Sequence, residues 1–152
     1  GLTVRNVARR AGVAPATAYN YFTSREHLVA EVFWRRLTAL PETRFDGRTG
    51  TPRRVSDTMA ELTLLVADEP ELATACTVAM LASDPDVKLL RDRIGWEWHR
   101  RLEAALGDAA DPVVLATLEF AVSGALLRAG MGHMAYDELP AEMARVVELV
   151  VR

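Results

Sequence analysis

A threonine, an asparagine and two tyrosines crowd into residues 17–21, inside the stretch AGVAPATAYNYF that runs from Ala11 to Phe22. The amide of Asn20 can pair with the major-groove edge of adenine, and the methyl groups of Ala16 and Thr17 can rest on that of thymine. The hydroxyls of Tyr19 and Tyr21 can bond phosphate oxygens and fix register on a duplex. Half-buried packing is the competing use of both tyrosines, and it serves Tyr21 at least as well as a phosphate does.

For this chemistry the side chains must share a helix face. With Ala18 turned inward and each residue rotating by about 100°, Tyr21 and Phe22 fall on the inner side. Ala16 and Asn20 then face outward, with Thr17 and Tyr19 on the flanks. Upstream, Thr3 can cap a helix in which Val4, Val7, Ala8 and Ala11 recur at helical spacing, and Gly12 ends it. Pro15 suits the first position of the next helix, over residues 15–22. A tight turn between two short helices, lined by small and apolar residues, is the requirement of a helix-turn-helix. Arg5 and Arg25 add positive charge at its edges.

The charge of the chain is divided to match. Residues 1–54 hold 10 basic and 4 acidic groups, and residues 55–152 hold 8 and 17, within a net charge of −3. A basic head on an acidic body fits a polyanion met by the head alone. A solvated helix face fits the charge equally well when charge is taken by itself.

The rest of the chain must carry this head. Its punctuation reads as helix throughout, with no strand-like alternation. TSRE, from Thr23 to Glu26, matches a capping box and opens a helix over residues 24–40. The loop PETRFDGRTG follows and divides a head, residues 1–40, from a body, residues 41–152. Further helices are expected over residues 51–67, 71–82, 83–107, 112–130 and 140–151. The expected class is therefore all-α, a helix-turn-helix head on a helical bundle of eight helices in all.

Other chemistries find little footing. His27, His99 and His133 have no metal-ligand spacing, and no metal or cofactor is expected. Cys76, the only cysteine, lies in an apolar helix with no nearby base, so it reads as inert core and fits a reducing cytoplasm. Ser123-Gly124 is not a nucleophile elbow, and no catalytic residue is assigned. The most apolar run, residues 113–131, is interrupted by Glu119 and Arg128, so no membrane span or secretory signal is expected.

The segment LTVRNVARRAGVAPATAYNYFTSREHLVAEVF resembles the DNA-binding region of TetR-family transcriptional regulators. The resemblance rests on Ala11-Gly12-Val13, Thr17, Tyr19, Phe22, Ser24, Arg25 and Leu28, about 35 residues in register. It implies base contacts near Pro15, Ala16, Thr17 and Asn20, and phosphate contacts at Thr3, Tyr19 and Arg25. Arg5 matches a position that reaches a base or a phosphate. Two features depart from the pattern. Ala14 stands where a capping serine is common, and only Gly1-Leu2 stand where the family has a whole further helix, so the sequence is expected to lack that helix.

In the body, the helix over residues 112–130 has two contrasting apolar stripes. Thr117, Ala121, Ala125 and Ala129 form a strip of small residues, while Phe120, Leu127 and Met131 form a bulky one. The small strip permits close helix approach, across a two-fold axis or within the monomer's own core. The resemblance implies a homodimer built from this helix and the last one, with Met143 and Val147 contributing. It also implies a small-molecule pocket, for which Met59, Leu62, Met80, Trp96, Phe120 and Leu127 are the candidates; ordinary core is the plainer reading at each. Met and Trp suit an apolar or aromatic effector. The expected function is a cytoplasmic ligand-responsive regulator, a repressor released from a palindromic DNA operator. The alternative is a dimeric helical ligand-binding protein without DNA binding.

Overall fold

Hydroxyls, carboxylates and prolines start the helices of this chain by satisfying or removing the orphan amides of the first turn. The computed structural model describes residues 2–43, 45 and 48–151. Among them lie eight α-helices and no strand. Helix α1 (Val4–Arg10) starts at Thr3, whose hydroxyl accepts from the Asn6 amide at 3.1 Å. Helix α2 (Pro15–Tyr19) and helix α3 (Arg25–Ala39) complete the head and its connector. Helices α4 (Thr51–Thr63) and α5 (Pro70–Met80) each carry a proline in the first turn. Helices α6 (Pro85–Leu106) and α7 (Pro112–Gly130) are capped by the carboxylates of Asp84 and Asp111. Helix α8 (Leu139–Val150) closes the chain after a short 3-10 turn.

Two sequence expectations shift locally. Helix α2 stops at Tyr19, and residues 20–22 form a turn in which the amides of Tyr21 and Phe22 both donate to the Ala18 carbonyl. Helix α3 is capped by Ser24 and not by Thr23, because the Thr23 hydroxyl is donated to Asp86 of the body. The expected capping box is therefore replaced by contacts that no local pattern encodes. Part of the loop expected to divide head from body, residues 44, 46 and 47, lies outside the described residues.

Three apolar clusters hold the chain together, and α3 contributes to all of them. Leu28 joins Val4, Ala8 and Ala18 in a small head core. Val29 and Leu37 enter the main core with Met59, Leu62, Trp98, Leu102, Leu118 and others. Ala30 meets Val87 and Leu90 of α6 in a third. Helix α4 runs antiparallel to α6, since Arg54 near its start donates to the carbonyl of Ala105 at 2.9 Å. Helix α7 packs on α5 and α8. Its crossing with α5 is very close: a Cβ on Gly130 would lie 2.6 Å from Cγ2 of Thr77.

Candidate nucleic-acid interface

The turn between α1 and α2 follows from one glycine. Gly12 has φ +69°, in the left-handed region that side chains disfavour. Its amide bonds the Arg9 carbonyl at 3.2 Å, and the next amide, of Val13, reaches back to Ala8 at 2.9 Å. This pair of bonds is a Schellman motif. It stops α1 and redirects the chain so that Ala18 packs against Val4 and Ala8 while the far side of α2 stays uncovered.

That far side carries the groups the sequence singled out. Ala16, Thr17, Tyr19 and Asn20 are exposed, and Pro15 is half-buried at the start of the helix. Tyr21, placed inward by the helical wheel, is instead 71% exposed because the helix has already ended. Thr3 is exposed at the start of α1. Its oxygen accepts from Asn6, which leaves the hydroxyl proton free to donate to an anion. Arg5 is exposed on the first turn of α1. Arg25 opens α3 and lies 3.6 Å from Glu26, an exposed pair that a phosphate can displace at little cost. Seven of the eight residues are thus open to solvent, on the two short helices, on Asn20 just past the second and at the start of α3, with Pro15 half-buried beside them.

The candidates in the body are arranged otherwise. Met59 and Leu62 are fully buried, Met80 is half-buried, and Trp96 and Phe120 are 66% and 78% exposed. Leu127 is exposed as well. The six do not converge: two lie in the core and three on the surface. Two open grooves on the protein, of about 620 and 670 Å³, touch none of them. The small strip of α7 mostly faces inward within this chain. Ala125 and Ala129 are buried, Ala121 is half-buried, and only Thr117 is exposed, its hydroxyl donated to the carbonyl of Val113. Met143 and Val147 of α8 lie in the core. The small residues serve the crossing of α7 with its own neighbours, and the bulky stripe of Val113, Phe120, Leu127 and Met131 is the one left uncovered.

Sequence reasoning missed the polar joints between head and body. Arg101, 9% exposed, donates to Glu97 at 2.6 Å and to the carbonyls of Pro41 and Leu40 at 3.1 Å. Glu97 and Arg101 stand four apart on α6, a visible pairing signal, but nothing local marks the pair as buried. The hydrogen bond from Arg100 holds the Glu97 carboxyl below its ordinary range, against burial that pushes it up. Cys76 is buried, and desolvation pushes its thiol up to about 12, which keeps it unreactive. Among the described residues no cluster of His, Cys, Asp or Glu could hold a metal.

Comparison with known proteins bears on this site directly. Residues 1–32 match the family model described as bacterial regulatory proteins, tetR family. An uncharacterized HTH-type transcriptional regulator of Mycobacterium tuberculosis (strain H37Rv) is 47% identical over 152 residues, covering 99% of this chain and 71% of the relative. A counterpart in Mycobacterium bovis matches to the same extent, 47% over 152 residues. Among solved structures, a TetR transcriptional regulator from Rhodococcus sp. RHA1 superposes with a TM-score of 0.73 at 22% identity, over 97% of this chain and 84% of that one. At that identity the likeness concerns the fold.

Proposed function

The chain belongs to the TetR family, helix-turn-helix transcriptional regulators that bind DNA and are not enzymes, and from that premise we propose that it is a dimeric, ligand-responsive repressor acting in the cytoplasm. The observation that carries the reading is the uncovered face of α2. Asn20 and Thr17 are the base-reading groups, aided by Ala16 and Pro15. Tyr19, Thr3 and Arg25 hold the phosphates, and Arg5 reaches a base or a phosphate. Each of these side chains but Pro15 is exposed.

The dimer forms through the bulky stripe of α7. Val113, Phe120, Leu127 and Met131 recur at spacings of seven, seven and four and are all exposed, which is one continuous stripe at helical period. Helix α7 is also long and apolar enough to cross a membrane. A protein partner fits better, because Leu118, Val122, Ala125 and Ala129 of the same helix are built into the core and Glu119 pairs with His99 at 2.8 Å.

The effector is a small, largely apolar or aromatic molecule held in the body. Among the described residues, two buried polar atoms, Thr58 Oγ1 of α4 and Trp98 Nε1 of α6, have no hydrogen-bond partner. Buried polar groups rarely go unpaired, and these two support an effector that carries a hydrogen-bond acceptor on its apolar frame.

The test is binding of the whole protein to near-palindromic DNA with half-sites spaced about 34–36 Å apart. Binding that weakens steeply with salt supports the reading, because arginines displace condensed counterions. No binding at low salt by a verified dimer would favour the alternative, a helical small-molecule-binding protein that does not use its head on DNA.

A further inference from the structure

We infer that Asp84 is a positioning residue for the head, a single carboxylate that caps α6, holds the Ser24 cap of α3 and so pins α3 to α6. Its Oδ1 accepts from the amides of Asp86 at 2.9 Å and Val87 at 3.4 Å, which caps α6. Its Oδ2 accepts from the Ser24 hydroxyl at 2.5 Å. The Ser24 oxygen in turn accepts from the His27 amide at 3.0 Å, which caps α3. The N-caps of connector and body helix are therefore joined to each other. Beside them the Thr23 hydroxyl donates to Asp86 at 2.9 Å. His27 Nδ1 accepts from the Thr23 amide at 3.3 Å, and the His27 ring meets Phe22 edge-on at 5.9 Å. Phe22 packs on the head core, so the end of the helix-turn-helix is tied into the same joint.

A second pin stands at the other end. Arg101 of α6 donates to the carbonyls of Leu40 and Pro41, just past the end of α3. The anchor points lie 16 residues apart along α3, from Ser24 to Leu40, and 17 apart along α6, from Asp84 to Arg101. At 1.5 Å per residue these are spans of about 24 and 26 Å. The two helices run parallel and are fastened at matching points, with Ala30 seated between on Val87 and Leu90. A rod fastened at both ends cannot tilt without its neighbour. Helix α5 also packs along α3, by apolar side chains and through the Arg36–Glu69 bond at its start, so α3 is held on a second side between the two pins. Helix α6 thus fastens both ends of the connector that carries the head. The inference rests on the DNA-reading role only for what that fastening serves; the pinning is tested without DNA.

The experiment is amide hydrogen exchange on the whole chain. In Asp84→Ser the new hydroxyl still caps α6, since serine is as good a cap as aspartate, but it is too short to reach Ser24. Exchange across Val4–Arg10, Pro15–Tyr19 and the first turn of α3 is expected to quicken about tenfold, the worth of one bond to a charged group. Helices α4, α7 and α8 should keep their protection. Ser24→Ala should act on the same amides, and the double variant should hardly exceed Ser24→Ala alone, because both changes break one shared bond. Thr3→Ala, which loosens the head through its own cap, should add fully to Asp84→Ser. Unchanged head exchange in Asp84→Ser, full additivity with Ser24→Ala, or an equal rise in every helix would each overturn the inference. Failure to bind DNA alongside the expected exchange pattern would overturn the function proposed above and leave this one standing.

Discussion

Helix α2 turns Ala16, Thr17, Tyr19 and Asn20 to solvent, and helix α7 turns Val113, Phe120, Leu127 and Met131. The first face is small and polar. Water solvates it at no cost, so it can stand empty until a duplex arrives. The second is large and apolar, and each Å² left in water forgoes about 25 cal/mol. Contiguous apolar surface of that kind marks a protein contact. Under the function proposed above, the difference would order the events: a lasting pairing of subunits through α7 and a conditional meeting with DNA through α2. Their supports differ in the same sense. Among the described residues the head core has four buried residues against 24 in the main core, so the head depends on its joint with the body for a fixed position.

Two substitutions on α7 separate inside from outside most sharply. Ala125→Glu places a carboxylate in the core, where the side chain is 8% exposed. An unpaired buried charge of this kind should destabilise the monomer by about 4 kcal/mol or more, visible as a large drop in melting temperature or loss of soluble protein. Phe120→Glu, five residues earlier on the opposite side, should leave the fold intact. It should weaken the dimer by about 2–4 kcal/mol, as for a central aromatic anchor. Sedimentation would then find helical monomers, and DNA affinity would fall with them. Stable dimers of Phe120→Glu, or a folded monomeric Ala125→Glu, would reverse the assignment of the two faces.

This reversal is also where the sequence was hardest to read. On α2 a single buried residue, Ala18, turned Ala16, Thr17, Tyr19 and Asn20 outward as found, but carried Tyr21 inward because the wheel ran past the end of the helix. On α7 both sides are apolar, and periodicity alone cannot say which one the chain itself covers. Small residues suggest close approach but not to what; Ala125 and Ala129 enter the chain's own core, and beside them Gly130 comes against Thr77 of α5. Helix count and most boundaries were legible because Thr3, Pro15, Pro52, Pro70, Pro85 and Pro112 mark them locally. The joints of Ser24 with Asp84 and of Arg101 with Pro41 join residues 60 apart in the chain. No window of local pattern contains them, and they decide where α3 is capped.

On the polar face the expected effects are smaller and differ in kind. Asn20→Ala should cost about 1–3 kcal/mol at one base step and leave other positions unaffected. A panel of operator variants measured by fluorescence anisotropy would show discrimination lost at that step alone. An equal loss on every sequence would make Asn20 a backbone contact. Arg25→Ala should weaken all sequences alike and lower the salt slope by about 1. If the slope is unchanged, Arg25 stays with Glu26 and does not engage a phosphate.

The smallest effect concerns the joint between the two regions and is driven by pH. The Ser24 hydroxyl holds the Asp84 carboxyl below its ordinary range, with the amides of Asp86 and Val87 adding to the shift. A carboxylate with a lowered folded value stabilises the structure fully above the unfolded value, about 3.9 for aspartate. That contribution is lost as pH falls through the lower folded value. Acid should therefore loosen the head before the body, which keeps its apolar core. Glu97 is lowered as well, chiefly by Arg100, and would weaken the far pin over the same acid range. The variant Asp84→Ser separates the two, because it lacks the titrating group at the near pin only. Head exchange, corrected for intrinsic acid dependence, should rise on acidification in the native chain and much less in Asp84→Ser. An equal rise in both would show that a group other than Asp84 carries the acid sensitivity of the head.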